Sequence, residues 1–525
     1  MGTKRGAPAW LAVAVLAGVA QAAAARDWLE ARIDDFVLVT DAKEGYARAT
    51  LRDFAVFKFG LGVLAPLTRG IPRMPTQMYA LDAAEWRSFA PAPHVAGFFQ
   101  PQAHANFIVF DRTPAGLKSR EVVFHEYMHF VLQAGSDLSL PAWWDEGVAE
   151  VFSSLRERDG KIEFGLVPAA RKMDFAYFEL MPTSMLFAVD RDSPAYRQHG
   201  IAPMFYAQSW LSAHYMLIGN PARGRQMPAF LRELNAGTPI ADAAQKAYGV
   251  SLDTLDAEIR AYRQKGRIGG FRLSFDKPLP DAKEVVIRPI SEPVALARLA
   301  IAGLDVGRNP DDAEKRAARA LALDPAQPLA QAAMAFVRLR QDRDAESLDW
   351  SRKALSTAAG PEATVAAVRA QWWLVTRALQ PRKPKPDDDA TVEELVDEAF
   401  AAQDAPAKPS AEQAALLHAA RTAVLPYTGD PDHGLDATLS VAAIDALLAD
   451  RDAAATLAIV QQATALYPAH AELAAEEARL CARLGRYTAA VASASRAARH
   501  ARSPQYRRAL ERWAAELAAA ADASR

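Results

Sequence analysis

The chain has 525 residues, 51% apolar and 24% charged, which is enough material for a sizeable core and two or more domains and excludes a disordered chain. Its 61 Lys and Arg against 63 Asp and Glu leave a net charge of −2 with no dense basic stripe, so nucleic acid is excluded as a partner. A single cysteine, Cys481, excludes an internal disulfide.

In chain order, residues 1–25 begin with Lys4 and Arg5, continue with an apolar run from Ala9 to Ala20, and end in small residues at Ala25. Positive, then apolar, then small is the order of a secretory signal, with cleavage expected near Ala25. The apolar run is shorter than the ~20 residues a membrane span needs. No later stretch reads as a span, so no stable membrane span is expected after cleavage. The expected location is periplasmic or secreted, in a bacterium.

From residue 26 to 270 the pattern is mixed. "DDFVLVT" (34–40), "TQMYAL" (76–81) and "NFIVFD" (106–111) read as strands, and residues 42–60 as a helix. The last of these strands is expected at a sheet edge, where an extended peptide could add itself as a further strand. His104 at its start is within reach of a substrate, but a lone loop histidine is more often structural, and the same holds for His94 and His199.

Residues 118–134 read as a helix carrying "VVFHEYMHFVL". His125 and His129, at i and i+4, project from one face, which lets two imidazoles reach one tetrahedral ion. Glu126 stands beside that ion, placed to take a proton from water. A zinc that keeps a position open for water needs a third protein donor. "LPAWWDEGVAEVFSSL" (140–155) supplies it: Pro141 starts a second helix and Glu146 follows with sixteen residues between it and His129. Asp145 is the competing carboxylate. Glu150, one turn beyond Glu146, is placed to accept the second ring N–H of His125 or His129. Trp143 and Trp144 read as core.

"HEYMH" followed by "WWDEGVAE" resembles the gluzincin branch of zinc peptidases, in particular the peptidase-MA-like proteins of bacteria, over about residues 27–265. "FVLVT", "GFFQPQAHANFIVFD" and "FYAQSWLSAHYML" belong to the resemblance. It implies a catalytic zinc, a peptide or protein substrate, Glu126 as general base, and a tyrosine downstream of the third ligand that steadies the oxyanion. Tyr206, sixty residues after Glu146, stands at the matching place, with Tyr215 and His214 as alternatives. The distance from the second histidine to the third ligand is shorter here than in aminopeptidase-type members. No motif places acidic groups to hold a free amine, which favours internal cleavage.

Residues 271–293 hold four prolines among alternating apolar residues and read as a bridge between domains. If so, truncation after residue 270 leaves zinc binding intact. From 294 to 525 the chain is alanine-rich helix after helix. Segments 318–346 and 461–490 share a layout of helix, turn with proline, helix, break, helix, which resembles tetratricopeptide repeats. A linker carrying prolines and a charge run interrupts the array around 380–413. The fold expected is an α+β zincin-like metallopeptidase domain followed by an all-α tetratricopeptide-like helical repeat domain, the repeats recruiting substrate or a protein partner. The alternative is a non-catalytic cell-envelope scaffold with a relic zincin domain.

Overall fold

A computed structural model describes residues 26–64, 73–91, 95–113, 117–135, 138–168, 179–190, 193, 202–265, 268–357, 360–379, 408–448, 452–501 and 504–523. The expected signal segment, His94, His199 and residues 380–407 of the expected linker lie outside the described residues. The N-terminal half is built on a mixed sheet and, among the described residues, every element from Glu292 onward is a helix, so the described chain is α+β followed by all-α. Among the described residues no helix is long and apolar enough to cross a membrane.

The main sheet has six strands: β1 (Trp28–Ile33), β2 (Phe36–Thr40), β3 (Thr76–Leu81), β4 (Gly97–Pro101), β5 (Asn106–Asp111) and, from far along the chain, β9 (Val286–Ile290). Their spatial order is β4-β5-β3-β2-β1-β9. β2, β3 and β5 are parallel, whereas β1, β4 and β9 run antiparallel to their neighbours. The strand expected over 34–40 forms over 36–40 as β2, while Asp34, at φ 53°, and Asp35 make the two-residue turn that joins β1 to it. Lys58 ties both turn carboxylates to the helix Glu44–Gly60.

Residues 106–111 form the expected strand but not the edge. β4 covers β5 and is itself the edge among the described strands, so the expectation is corrected by one strand. The reason is visible in β5, whose first five residues are all buried, as in a strand covered on both sides and both faces.

Period-two alternation divides the sheet into two covered faces. Phe36, Leu38, Met78, Ile108 and Phe110 point to the front, where they pack with the helices Glu44–Gly60 and Leu117–Gly135. Phe57 and Phe124 stack between those helices with centroids 3.9 Å apart. Trp28, Val39, Tyr79, Phe107 and Val109 point to the back, where Ala295, Leu299, Ala302 and Val306 of the helical half cover them. The first helix of the array is therefore the back layer of the N-terminal sheet.

That arrangement overturns the bridge reading of 271–293. Phe271–Leu273 (β8) pairs with Lys161–Phe164 (β7), which also pairs with Arg156–Arg158 (β6), and β9 pairs with β1 along five residues. The alternating apolar residues belong to strands, and Pro289 is tolerated because β9 is an edge where a ladder N–H can be spared. In the array, the quoted layout becomes Pro310–Leu323, Pro328–Arg340 and Asp344–Ser356 in the first case. In the second it becomes Ala453–Leu466, Ala471–Arg483 and Tyr487–His500. Downstream of the undescribed linker, Ser410 and Gln413 form a capping box that starts the helix Ala411–Val424.

Polar contacts also fasten the halves. Arg298 reaches Glu30 of β1 at 2.6 Å and Glu362 at 2.6 Å, Arg316 meets Glu85 at 2.8 Å, and His470 lies 2.5 Å from the carbonyl oxygen of Ala103. His104 belongs to this seam: its Nε2 is 3.3 Å from Asp305, which Arg369 also holds. The structural alternative for His104 is the one observed.

Candidate metal centre

The helix Leu117–Gly135 buries Phe124, Tyr127, Met128 and Val131 against the sheet. The opposite face carries Val122, His125, Glu126, His129 and Gln133, spaced by three or four residues and only partly covered. Pro141 precedes the second helix, Ala142–Ser153, which is buried along its whole length. Trp143 stacks on Phe187 at 4.0 Å and touches Trp144, so the tryptophan pair is core as expected.

These helices bring three donor atoms together. His125 Nε2 is 3.1 Å from Glu146 Oε2, His129 Nε2 is 3.3 Å from the same oxygen, and the two imidazole nitrogens are 3.1 Å apart. Donors about 2.0–2.1 Å from a tetrahedral zinc are separated by about 3.3–3.4 Å, so the triangle matches the face of a zinc coordination shell. His125, His129 and Glu146 form the metal-capable cluster found among the described residues.

The electrostatics point the same way. Burial disfavours the His125 imidazolium, but the Glu146 hydrogen bond and the Glu150 charge outweigh it and raise the pKa. Burial likewise opposes charge on His129, yet Asp145 and Glu146 lift it well above its ordinary value. Glu146 is only 3% exposed; burial would raise its pKa, but the two imidazoles hold it well below. The cluster favours positive charge at its centre, and a metal would compete there with protons.

Asp145, the rival ligand, stands behind the site. Its Oδ1 lies 3.0 Å from His129 Nδ1, the nitrogen turned away from the donor triangle. It fixes the tautomer that leaves Nε2 free, the outer role that sequence reasoning gave to Glu150. Glu150 Oε1 is 3.8 Å from His125 Nδ1, beyond hydrogen-bond length, and acts on that ring through charge. The residues were legible but their division of labour was not: a first-turn position adjacent to a ligand points a quarter-turn away from it, and that signal was available in the helical spacing.

Glu126 is half-buried beside the histidines and has no hydrogen-bond or ion-pair partner among the described residues. Tyr206, on the helix Ala202–His214, has its ring centroid 6.4 Å from that of His125. The alternatives are engaged elsewhere. Tyr215 donates to Glu258 at 2.8 Å, and His214 Nδ1 is 3.0 Å from the Tyr262 hydroxyl, with burial pulling its pKa down to about 4.

Gly147 sets the distance between the Glu146 and Tyr206 helices. A Cβ there would lie 2.3 Å from the Ser209 carbonyl oxygen and 2.8 Å from Ala213 Cβ, so only glycine permits this approach. The sequence reading did not single it out, because a helical glycine declares its neighbour only once the neighbour is known. No protein-family model matches the chain and no curated protein matches its sequence.

Proposed function

We propose that this chain is an exported zinc-dependent peptidase of gluzincin type, its zincin-like N-terminal half holding the ion through His125 Nε2, His129 Nε2 and Glu146 Oε2. The convergence of those three atoms at 3.1–3.3 Å, around a point where the protein itself favours positive charge, carries the reading. A bound zinc supplies Lewis acidity, lowering the pKa of water toward ~7 and polarising a carbonyl.

The chain's own residues do the rest. The Glu126 carboxylate accepts the proton of the attacking water and returns it to the leaving amine, a role that suits a half-buried carboxylate with no other partner among the described residues. The Tyr206 phenol donates a hydrogen bond to the carbonyl oxygen as charge develops on it. Asp145 holds the His129 imidazole in orientation, and the Glu150 charge acts on that of His125. The free edge of β4, lying against the motif helix, offers main-chain groups to an extended peptide.

Elemental analysis together with hydrolysis of a peptide library tests the proposal. Wild type should carry one zinc and cleave peptides, His125→Ala should lose the zinc, and Glu126→Gln should keep it while losing at least about 10²-fold in turnover. Full zinc in a His125→Ala, His129→Ala double variant, or unchanged hydrolysis in Glu126→Gln, overturns it.

A further inference from the structure

The geometry points to a substrate pocket shared by the two halves of the chain, a deepening that rests on the peptidase reading. β4 and the motif helix run side by side in the same direction. A Cβ on Gly97 would lie 3.3 Å from Val123, and Phe99, two residues on, packs against Tyr127 and Phe130 with centroids 5.8 and 6.0 Å away. An extended peptide added to the free edge of β4 is therefore led along the helix toward Gln133.

At that end lies a groove of about 580 Å³. Gln133, one turn beyond His129, and Ala142, one turn before Glu146, both line it, so it adjoins the ligand cluster along both helices. Leu138, Leu140, Val189, Leu234 and Ile240 line it further, each only half-buried. Five partly exposed apolar side chains around one concavity mark a surface built to be covered. The outer wall is Arg507, Arg508 and Glu511 of the helix Pro504–Ala523, the last of the array. With Asp190 on the opposite rim, charges of the two signs are equal in number, which leaves nothing to select an ionised side chain.

We propose that this groove receives an apolar side chain of the peptide substrate, and that the C-terminal helix, by forming its wall, makes the array part of the specificity machinery. From Glu126 to Gln133 is seven residues of helix, about 10 Å, which an extended chain covers in about three residues. The pocket thus reads the side chain two or three positions from the scissile bond.

The test uses the full chain and a library varied at those positions. Wild type should prefer leucine, methionine or phenylalanine at one of them. Ile240→Trp, which fills the groove, should lower kcat/KM for those peptides by about 10–100-fold while peptides with glycine or alanine there change less than about twofold and zinc content is unchanged. Leu234→Trp should do the same, which guards against a folding defect in one variant. A library flat at these positions, a loss equal for all peptides, or a change of oligomeric state without a change of selectivity overturns the pocket; the last would make the groove an interface between copies. Binding of a fluorescent leucine-containing peptide to zinc-loaded Glu126→Gln protein separates this from failure of the peptidase reading. If wild type cleaves nothing yet the peptide binds and Ile240→Trp weakens it at least about tenfold, the pocket stands and the reaction is wrong. If it neither binds nor is cleaved, both fall.

Discussion

Two of the buried carboxylates, Glu30 and Glu146, lie on opposite sides of the main sheet and are treated in opposite ways. Glu30, on the back face, is fully buried and receives guanidinium groups from Arg32 at 2.5 Å, Arg288 at 2.9 Å and Arg298 at 2.6 Å. Burial alone would raise its pKa, but the three arginines outweigh that and lower it to about 2. Glu146, in the front layer, meets two imidazoles instead. Arginine cannot give up its proton at any ordinary pH, so the Glu30 cluster is closed. Histidine can, so the Glu146 cluster is able to exchange its protons for a metal cation. A buried acid among arginines is a fastening; among histidines it is a candidate site.

Among single substitutions, the largest effect should come from opening the closed cluster. Arg298→Ala removes the cation shared by Glu30 and Glu362 and leaves buried negative charge, which costs about 3–5 kcal/mol. Chemical denaturation should show this loss while zinc per folded molecule stays unchanged; an unaltered denaturation midpoint would mean that the seam is not integral to the fold. Truncation after residue 270 should be worse still, since it deletes β9 together with the back layer over Trp28 and Tyr79.

On the front face, Asp145→Asn should weaken zinc binding about 10–100-fold in a chelator competition, with global stability much less affected than in Arg298→Ala. Gly147→Ala should cost about 1–3 kcal/mol by wedging the Glu146 and Tyr206 helices apart. On the proposed role of Tyr206, its signature is a kcat that falls more than KM rises.

The two clusters should also part company with pH. The Glu30 pKa is depressed on folding, so its contribution is fully present above the unfolded value near 4.5 and is lost as pH falls toward about 2. The imidazole pKa values of His125 and His129 are raised, so protons should displace the metal at a higher pH than the one at which the seam fails. Metal retention and circular dichroism followed together through an acid titration should show metal leaving first from a folded protein. Simultaneous loss would erase the distinction.

The sequence by itself determined much of the site. Helical spacing put His125, Glu126 and His129 on one face, and Pro141 opened the helix that carries Glu146, because a period of 3.6 and the start of a helix are local properties. It also determined the strands 76–81 and 106–111 to the residue, where apolar runs are bounded by turn residues. Only the tertiary structure decided which strand is the edge, that 286–290 closes the main sheet, that Asp145 rather than Glu150 bonds a histidine, and that the array forms the back layer of the N-terminal half. Each of these is a pairing between segments distant in the chain or between side chains on different helices. A repeat pattern specifies that a helix has a face to bury, and the surface that receives it, here Trp28, Val39 and Tyr79 on the back of the sheet, is chosen only when the chain closes on itself.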